Sequence, residues 1–148
     1  HIKDCYFQII TETMIINAKP LENGIKPTPF LSEKSYKPFL SCQPFILCGR
    51  SGTVNVLRLQ GYDVYDTWIN HEYDNIKDNK ERMRVLTNEI IRLNSLSSKE
   101  WSLMLKEMLP TIKKNLKRLL DSYDKKDVLT FNYSVRTPLP QALIDISS

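Results

Sequence analysis

The run Pro44-Phe45-Ile46-Leu47-Cys48-Gly49 constrains this chain most. An apolar stretch this short, closed by glycine, reads as a buried strand rather than a helix. A second apolar run, Cys5 to Ile10, lies upstream and ends in Thr11-Glu12-Thr13. Between them the segment Phe30-Leu-Ser-Glu-Lys-Ser-Tyr-Lys-Pro38 places an acidic–basic pair, Glu33 and Lys34, at the start of a short helix. Two strands whose carboxyl ends carry polar and charged groups describe the ligand-binding edge of an open α/β sheet.

Composition sets the frame for that reading. A chain of 148 residues, 41% hydrophobic and 26% charged, has the size and balance of an ordinary globular domain. The net charge of +4, spread along the chain, favours an anionic ligand but is too weak for a nucleic-acid footprint. No apolar run approaches the ~20 residues of a membrane span, and no secretory leader is read. The chain opens on His1 rather than Met, which reads as a piece of something longer. Cys5, Cys42 and Cys48 lack metal-ligand spacing and behave as structural thiols in a reducing, cytoplasmic setting.

Along the chain, residues 17 to 31 hold three prolines and Asn23-Gly24, the chemistry of a long loop. The following helix has two candidate starts. Ser32 caps a helix beginning at Glu33, or Ser35 caps one in which Pro38 falls harmlessly in the first turn. Gly49 to Thr53 is a glycine turn into a helix with Val54, Leu57 and Val56 inward, ended by Gly61, and Tyr62 to Tyr65 reads as a third strand. Two capping boxes, Asp78 to Glu81 and Ser97 to Glu100, then open helices. The first carries Met83, Leu86, Ile90 and Leu93 inward, and the second Trp101, Leu105, Met108, Ile112, Leu116 and Leu119, with a kink expected near Pro110. The expected fold is α/β: a Rossmann-like three-layer domain over residues 1–122, with a short parallel sheet and a mostly helical C-terminal half. Residues 123–148 form a tail containing a β-like run, Val128 to Val135.

The order of apolar strand ending in Glu12, loop, Phe30-Leu-Ser-Glu33-Lys34, helix and Gln43-Pro44-Phe-Ile-Leu-Cys-Gly49 resembles the donor-binding C-terminal domain of α1,3-fucosyltransferases. It is also similar to phage and bacterial glycosyltransferase-like proteins with an (S/T)EK-x-x-KP helix start and a Tyr-Asp pair like Tyr73-Asp74. The resemblance runs from about Tyr6 to Gly49, with Ser32 where the fucosyltransferases have threonine and Pro38 where they have none. It implies the donor half of a two-domain glycosyltransferase that takes a nucleotide diphosphate sugar, with the acceptor-binding N-terminal domain outside this chain. Glu33 then resembles the glutamate that accepts hydrogen bonds from ribose hydroxyls, Lys34 the lysine that neutralises the diphosphate, and Glu12 the acidic residue near the donor sugar.

Sugar transfer develops negative charge on the departing diphosphate, which a fixed cation stabilises. Lys34 is the first candidate, with Lys37 and Arg50 as further cations and Glu12 as a general base. No Asp-x-Asp motif is present, so neither a metal nor another cofactor is expected. Nucleophile elbow, P-loop and paired His/Asp patterns are also missing from the sequence. The competing reading is a non-catalytic α/β module that serves binding or assembly, in which Glu33 and Lys34 are ordinary first-turn helix residues. Tyr62, Tyr65, Trp68 and Tyr73 read as core aromatics, His71 as a loop residue, and Lys113, Lys114, Lys117 and Arg118 as a solvated basic stripe.

Overall fold

A computed structural model describes residues 5–17 and 29–124. The two apolar runs become parallel strands, β1 (Gln8–Thr11) and β2 (Phe45–Cys48), paired in the register Gln8–Phe45, Ile9–Ile46, Ile10–Leu47 and Thr11–Cys48. All four residues of β2 are buried, as a parallel strand covered on both faces requires. The fold is mixed α/β, with this two-stranded sheet followed by a mostly helical C-terminal half. The tail from residue 125 onward, with its β-like run, lies outside the described residues.

Of the two candidate starts of the first helix, the one at Ser32 forms. Ser32 caps a 3-10 turn over Glu33–Tyr36, its side chain accepting from the Lys34 N–H at 3.3 Å. An α-helical turn, α1 (Lys37–Leu40), comes directly after it, with Pro38 in its first turn where its missing N–H costs nothing. Ser35 is not the cap, because its hydroxyl is committed elsewhere. Phe39 on α1 stacks on Tyr62 at 4.4 Å and meets Phe45 of β2 edge-on at 5.3 Å.

The third strand expected at Tyr62–Tyr65 does not form among the described residues. The backbone groups that it would have offered to a sheet are taken by a side chain. Asn115 accepts from the Asp63 N–H at 2.9 Å and donates to the Asp63 carbonyl at 2.7 Å. Tyr65 then takes a positive φ of 67°, with its N–H bonded to the Asp63 carboxylate at 2.8 Å. The segment therefore hangs on the last helix. Of the aromatics read as core, Tyr62, Tyr65 and Tyr73 are buried, and Trp68 is partly buried against the core.

Helices α2 (Thr53–Leu59), α3 (Asn79–Asn94) and α4 (Ser98–Asp124) complete the chain. Ser97 and Glu100 close a reciprocal capping box, Ser97 N–H to Glu100 Oε2 at 2.7 Å and Glu100 N–H to Ser97 Oγ at 3.3 Å. At α3 only half of the box forms, Asp78 Oδ1 accepting from the Glu81 N–H at 2.8 Å. The apolar periodicity places Leu86 and Leu93 in the core, but Met83 is 36% exposed and Arg82 takes the inward position instead. α4 is assigned continuously through Pro110 and carries the buried Trp101, Met108, Ile112, Leu116 and Leu119.

Trp101 joins both ends of this fold. Tyr6 and Phe7 stack on it at 5.6 and 5.3 Å, and its indole N–H donates to the Leu93 carbonyl at 3.1 Å. Trp101→Ala is expected to cost about 3–5 kcal/mol through the cavity and the orphaned carbonyl. Urea unfolding of the two proteins followed by circular dichroism measures it, and a loss below about 1 kcal/mol would contradict this packing.

Candidate functional site

The carboxyl ends of β1 and β2 lie side by side, and the site is built from the segments that leave the two strands there. Beyond β1 comes Glu12, 3% exposed, which accepts from the Ser32 N–H at 3.0 Å and from the Ser35 hydroxyl through Oε1. Its Oε2 is buried without a partner. Glu12 thus fastens the 3-10 turn to the end of β1, and the turn divides its residues between two directions. Ser35 and Tyr36 point inward and are buried, whereas Glu33, Lys34 and then Lys37 are exposed. The side chains of Glu33, Lys34 and Lys37 make no hydrogen bond or ion pair among the described residues.

Beyond β2, Gly49 to Gly52 turn the chain into α2. Gly52 has φ 89°, a conformation that favours glycine, and a Cβ there would meet the Pro29 ring at 3.1 Å. This close approach brings the incoming loop against the turn. Arg50 is half-buried and reaches back to the Ile16 carbonyl through Nε at 3.1 Å. The structure therefore places Glu12, Glu33, Lys34 and Arg50 on segments that meet at one sheet edge, with Lys37 a turn further along α1.

Three polar residues that the sequence reading did not single out for the site build its frame. Asp74 is buried and accepts from the Val54 and Asn55 N–H groups, each at 3.0 Å, while its own carbonyl takes the Gly52 N–H at 2.8 Å. The free N–H groups at the start of α2 are consequently satisfied by protein. Arg82 is fully buried, donating through its two terminal nitrogens to the Gly49 and Ile15 carbonyls and to Asn79 Oδ1 at 3.3 Å. Asn17 accepts from the Ser51 N–H at 3.0 Å and donates to the Lys77 carbonyl at 2.8 Å. The Tyr73-Asp74 pair was a visible signal for one of these. Arg82 was concealed because a charged residue beside Met83 at helical spacing reads as solvent-facing.

A separate open cleft of about 480 Å³ lies between α2, the 66–75 segment and α3, lined among others by Arg58, Asp66, Trp68, His71, Glu89 and Arg92. Four of its charges are paired, Arg58 with Asp66 and Arg92 with Glu89, each at 2.6 Å, and none of the sequence-derived site residues lines it. No group of residues suited to hold a metal ion occurs among the described residues, and no helix there is long and apolar enough to cross a membrane. The basic stripe on α4 is exposed. Within it Lys117 pairs with Asp121 at 3.0 Å, and Arg118 donates to the Gln60 carbonyl at 2.6 Å, closing the end of α2.

No family model matches the chain, and neither a curated protein nor a solved structure does.

His71, in the lining of the separate cleft, gives a measurable consequence of burial. Its Nε2 meets the Val64 carbonyl at 2.7 Å, which can only accept, so Nε2 carries the proton and Nδ1 accepts from the Tyr73 hydroxyl at 3.0 Å. Desolvation by burial holds its pKa below the ordinary 6.5, against the opposing effect of the Val64 bond. As pH falls, the unfolded chain therefore binds the proton first. The stability tied to neutral His71 is complete above the unfolded value and is lost as pH falls through it toward the folded one. Asp66 and Glu89 are held below their ordinary carboxylate values by Arg58 and Arg92, so they titrate at lower pH. Urea unfolding at about pH 7.5 and about pH 5.5, either side of the ordinary histidine value, is expected to show wild type losing stability across that interval. His71→Gln should be weaker at the higher pH but flatter between the two.

Proposed function

We propose that this chain is the donor-binding domain of a nucleotide-sugar-dependent glycosyltransferase, acting on an acceptor held by a second domain. One observation carries the reading. Two parallel strands end together, and the exposed Glu33–Lys34 pair is presented at that end on a turn fastened from below by a buried carboxylate. Open α/β sheets bind ligands outside the carboxyl ends of their strands. A carboxylate beside an ammonium suits a ligand that carries hydroxyls next to a diphosphate. The complete burial of β2 supports the finer fold reading, a Rossmann-like three-layer domain in which the sheet extends beyond this pair.

In this reading Glu33 accepts hydrogen bonds from the ribose, and Lys34 neutralises the diphosphate as the bond to the sugar breaks. Lys37 and Arg50 add positive potential. Preorganisation matters here, since a cation already in place stabilises developing charge without reorganising. Glu12 has one carboxylate oxygen engaged by the turn, which makes it first the residue that positions Glu33 and Lys34. Its second oxygen, Oε2, is buried and has no partner among the described residues, so base chemistry toward an acceptor hydroxyl requires that oxygen to be uncovered first. Neither a metal nor another cofactor enters the scheme. A reducing, cytoplasmic setting accords with the free thiols Cys5, Cys42 and Cys48.

Thermal unfolding with uridine, guanosine, adenosine and thymidine diphosphates and their sugar conjugates tests the reading. A ligand at about 100 times its dissociation constant is expected to stabilise by about 2.7 kcal/mol, a midpoint shift of several degrees. Lys34→Ala, an exposed change, should abolish that shift while leaving the unliganded midpoint where it was. A flat panel, or a shift that survives Lys34→Ala undiminished, would overturn the proposal.

A further inference from the structure

Arg82 is the least expected side chain in the molecule. A guanidinium with no exposed surface and no carboxylate bonded to it is costly to bury, and the nearby Asp74 offsets its charge only in part, being bonded to the start of α2. Its Nε lacks a partner altogether, and its terminal nitrogens are committed to the Gly49 and Ile15 carbonyls and to Asn79. The positive charge therefore sits directly beneath the turn that leaves β2.

Two more cations flank the same turn. Among the described residues Arg50 uses only Nε, on the Ile16 carbonyl at 3.1 Å, which leaves both of its terminal nitrogens. Lys77 is exposed and donates to the Ser51 hydroxyl at 3.1 Å, a neutral partner. Neither is ion-paired with a carboxylate among the described residues. The neighbouring acids are spent on helix starts, Asp74 on the Val54 and Asn55 N–H groups and Asp78 on the Glu81 N–H.

Three backbone donors around this turn are already engaged. The Ser51 N–H goes to Asn17, the Gly52 N–H to the Asp74 carbonyl, and the Thr53 N–H to the Arg50 carbonyl. With those three spent, anion recognition there falls chiefly to side-chain cations, unlike a P-loop, which uses backbone N–H groups.

We propose that Arg50 and Lys77 are the two arms of a diphosphate seat over the Gly49–Gly52 turn, with the buried charge of Arg82 as its floor. The bound anion adds counter-charge to that of Asp74, which acts on Arg82 without bonding to it. As part of the donor site the seat rests on the glycosyltransferase reading, and it assigns the diphosphate to these residues jointly with Lys34. As an anion site it stands by itself.

Isothermal titration at fixed ionic strength tests the seat, with inorganic pyrophosphate and the nucleoside diphosphates as probes. The proteins are wild type, Lys77→Met, Arg50→Met and Lys34→Ala, with unliganded melting midpoints confirming that each folds. Pyrophosphate is expected to bind wild type, and Lys77→Met and Arg50→Met should each weaken it roughly tenfold or more, the scale of one lost charge-assisted bond. Nucleotide binding that needs Lys34 but is unchanged by both methionine variants would overturn the seat and leave the donor reading standing. Pyrophosphate binding that needs Lys77 and Arg50, without any nucleotide binding, would uphold the seat and remove the donor reading. Absence of binding by either probe would overturn both.

Discussion

The edge of this molecule depends on one buried guanidinium. β1 and β2 are bonded to each other along their length, but nothing in the ladder fixes the chain once it leaves the sheet. Arg82 does so from α3, taking the Ile15 carbonyl beyond β1 and the Gly49 carbonyl beyond β2 in a single side chain. Two orphaned carbonyls would otherwise face the interior, each at a cost of about 1–3 kcal/mol. Burial pushes the Arg82 pKa down from its ordinary value, opposed by the nearby Cys48 and Asp74, and the group stays a cation. The same atoms that set the geometry therefore also set the sign of the field at the strand ends.

Around that cation the backbone is held by side chains more than by sheet. Asp74 satisfies the start of α2, Asn115 occupies the segment that otherwise reads as a strand, and Asn17 ties the end of the first segment to both Ser51 and Lys77. Each is a local polar side chain competing with secondary structure for backbone groups. The connections after the sheet acquire a fixed shape in this way without a further strand among the described residues. Rigid connections at strand ends are where positioned charges have most effect, because the cost of ordering them is met during folding.

This division decides how much of the molecule is legible from its sequence. The two strands, the glycine turn, the capping box at Ser97 and the core of α4 are properties of neighbouring residues, and the sequence pattern identifies them directly. Tyr62 to Tyr65 misled because its composition is strand-like and its competitor, Asn115, lies on a distant helix. Met83 was expected inward, where Arg82 lies instead, for a related reason: a 3.6-residue period cannot tell an inward arginine with partners from an outward one. The Glu33–Lys34 pair was visible from its place before a helix and a buried strand. The frame beneath it was not: Glu12 was read as a base rather than as an anchor of the turn, and Arg82 and Asn17 acquire their roles through partners far along the chain.

The motif Ser32-Glu33-Lys34-Ser35-Tyr36 shows how the two levels combine. A helix start needs a cap and tolerates an acid in its first turn, which accounts for Ser32 and Glu33 by themselves. It does not account for the Ser35 hydroxyl bonded to a carboxylate that is 3% exposed and has its other oxygen unpartnered. Burying that carboxylate costs stability, so the contact is better understood through the turn that it holds. The 3-10 geometry sends Ser35 inward to Glu12 and Glu33 with Lys34 outward, making the inner contact the fulcrum of the outer pair. Replacing Glu12 by a residue of similar size that cannot accept two hydrogen bonds would free the turn without touching either exposed charge. Position and charge are thus encoded in the same five residues, with position resting on the two that face inward.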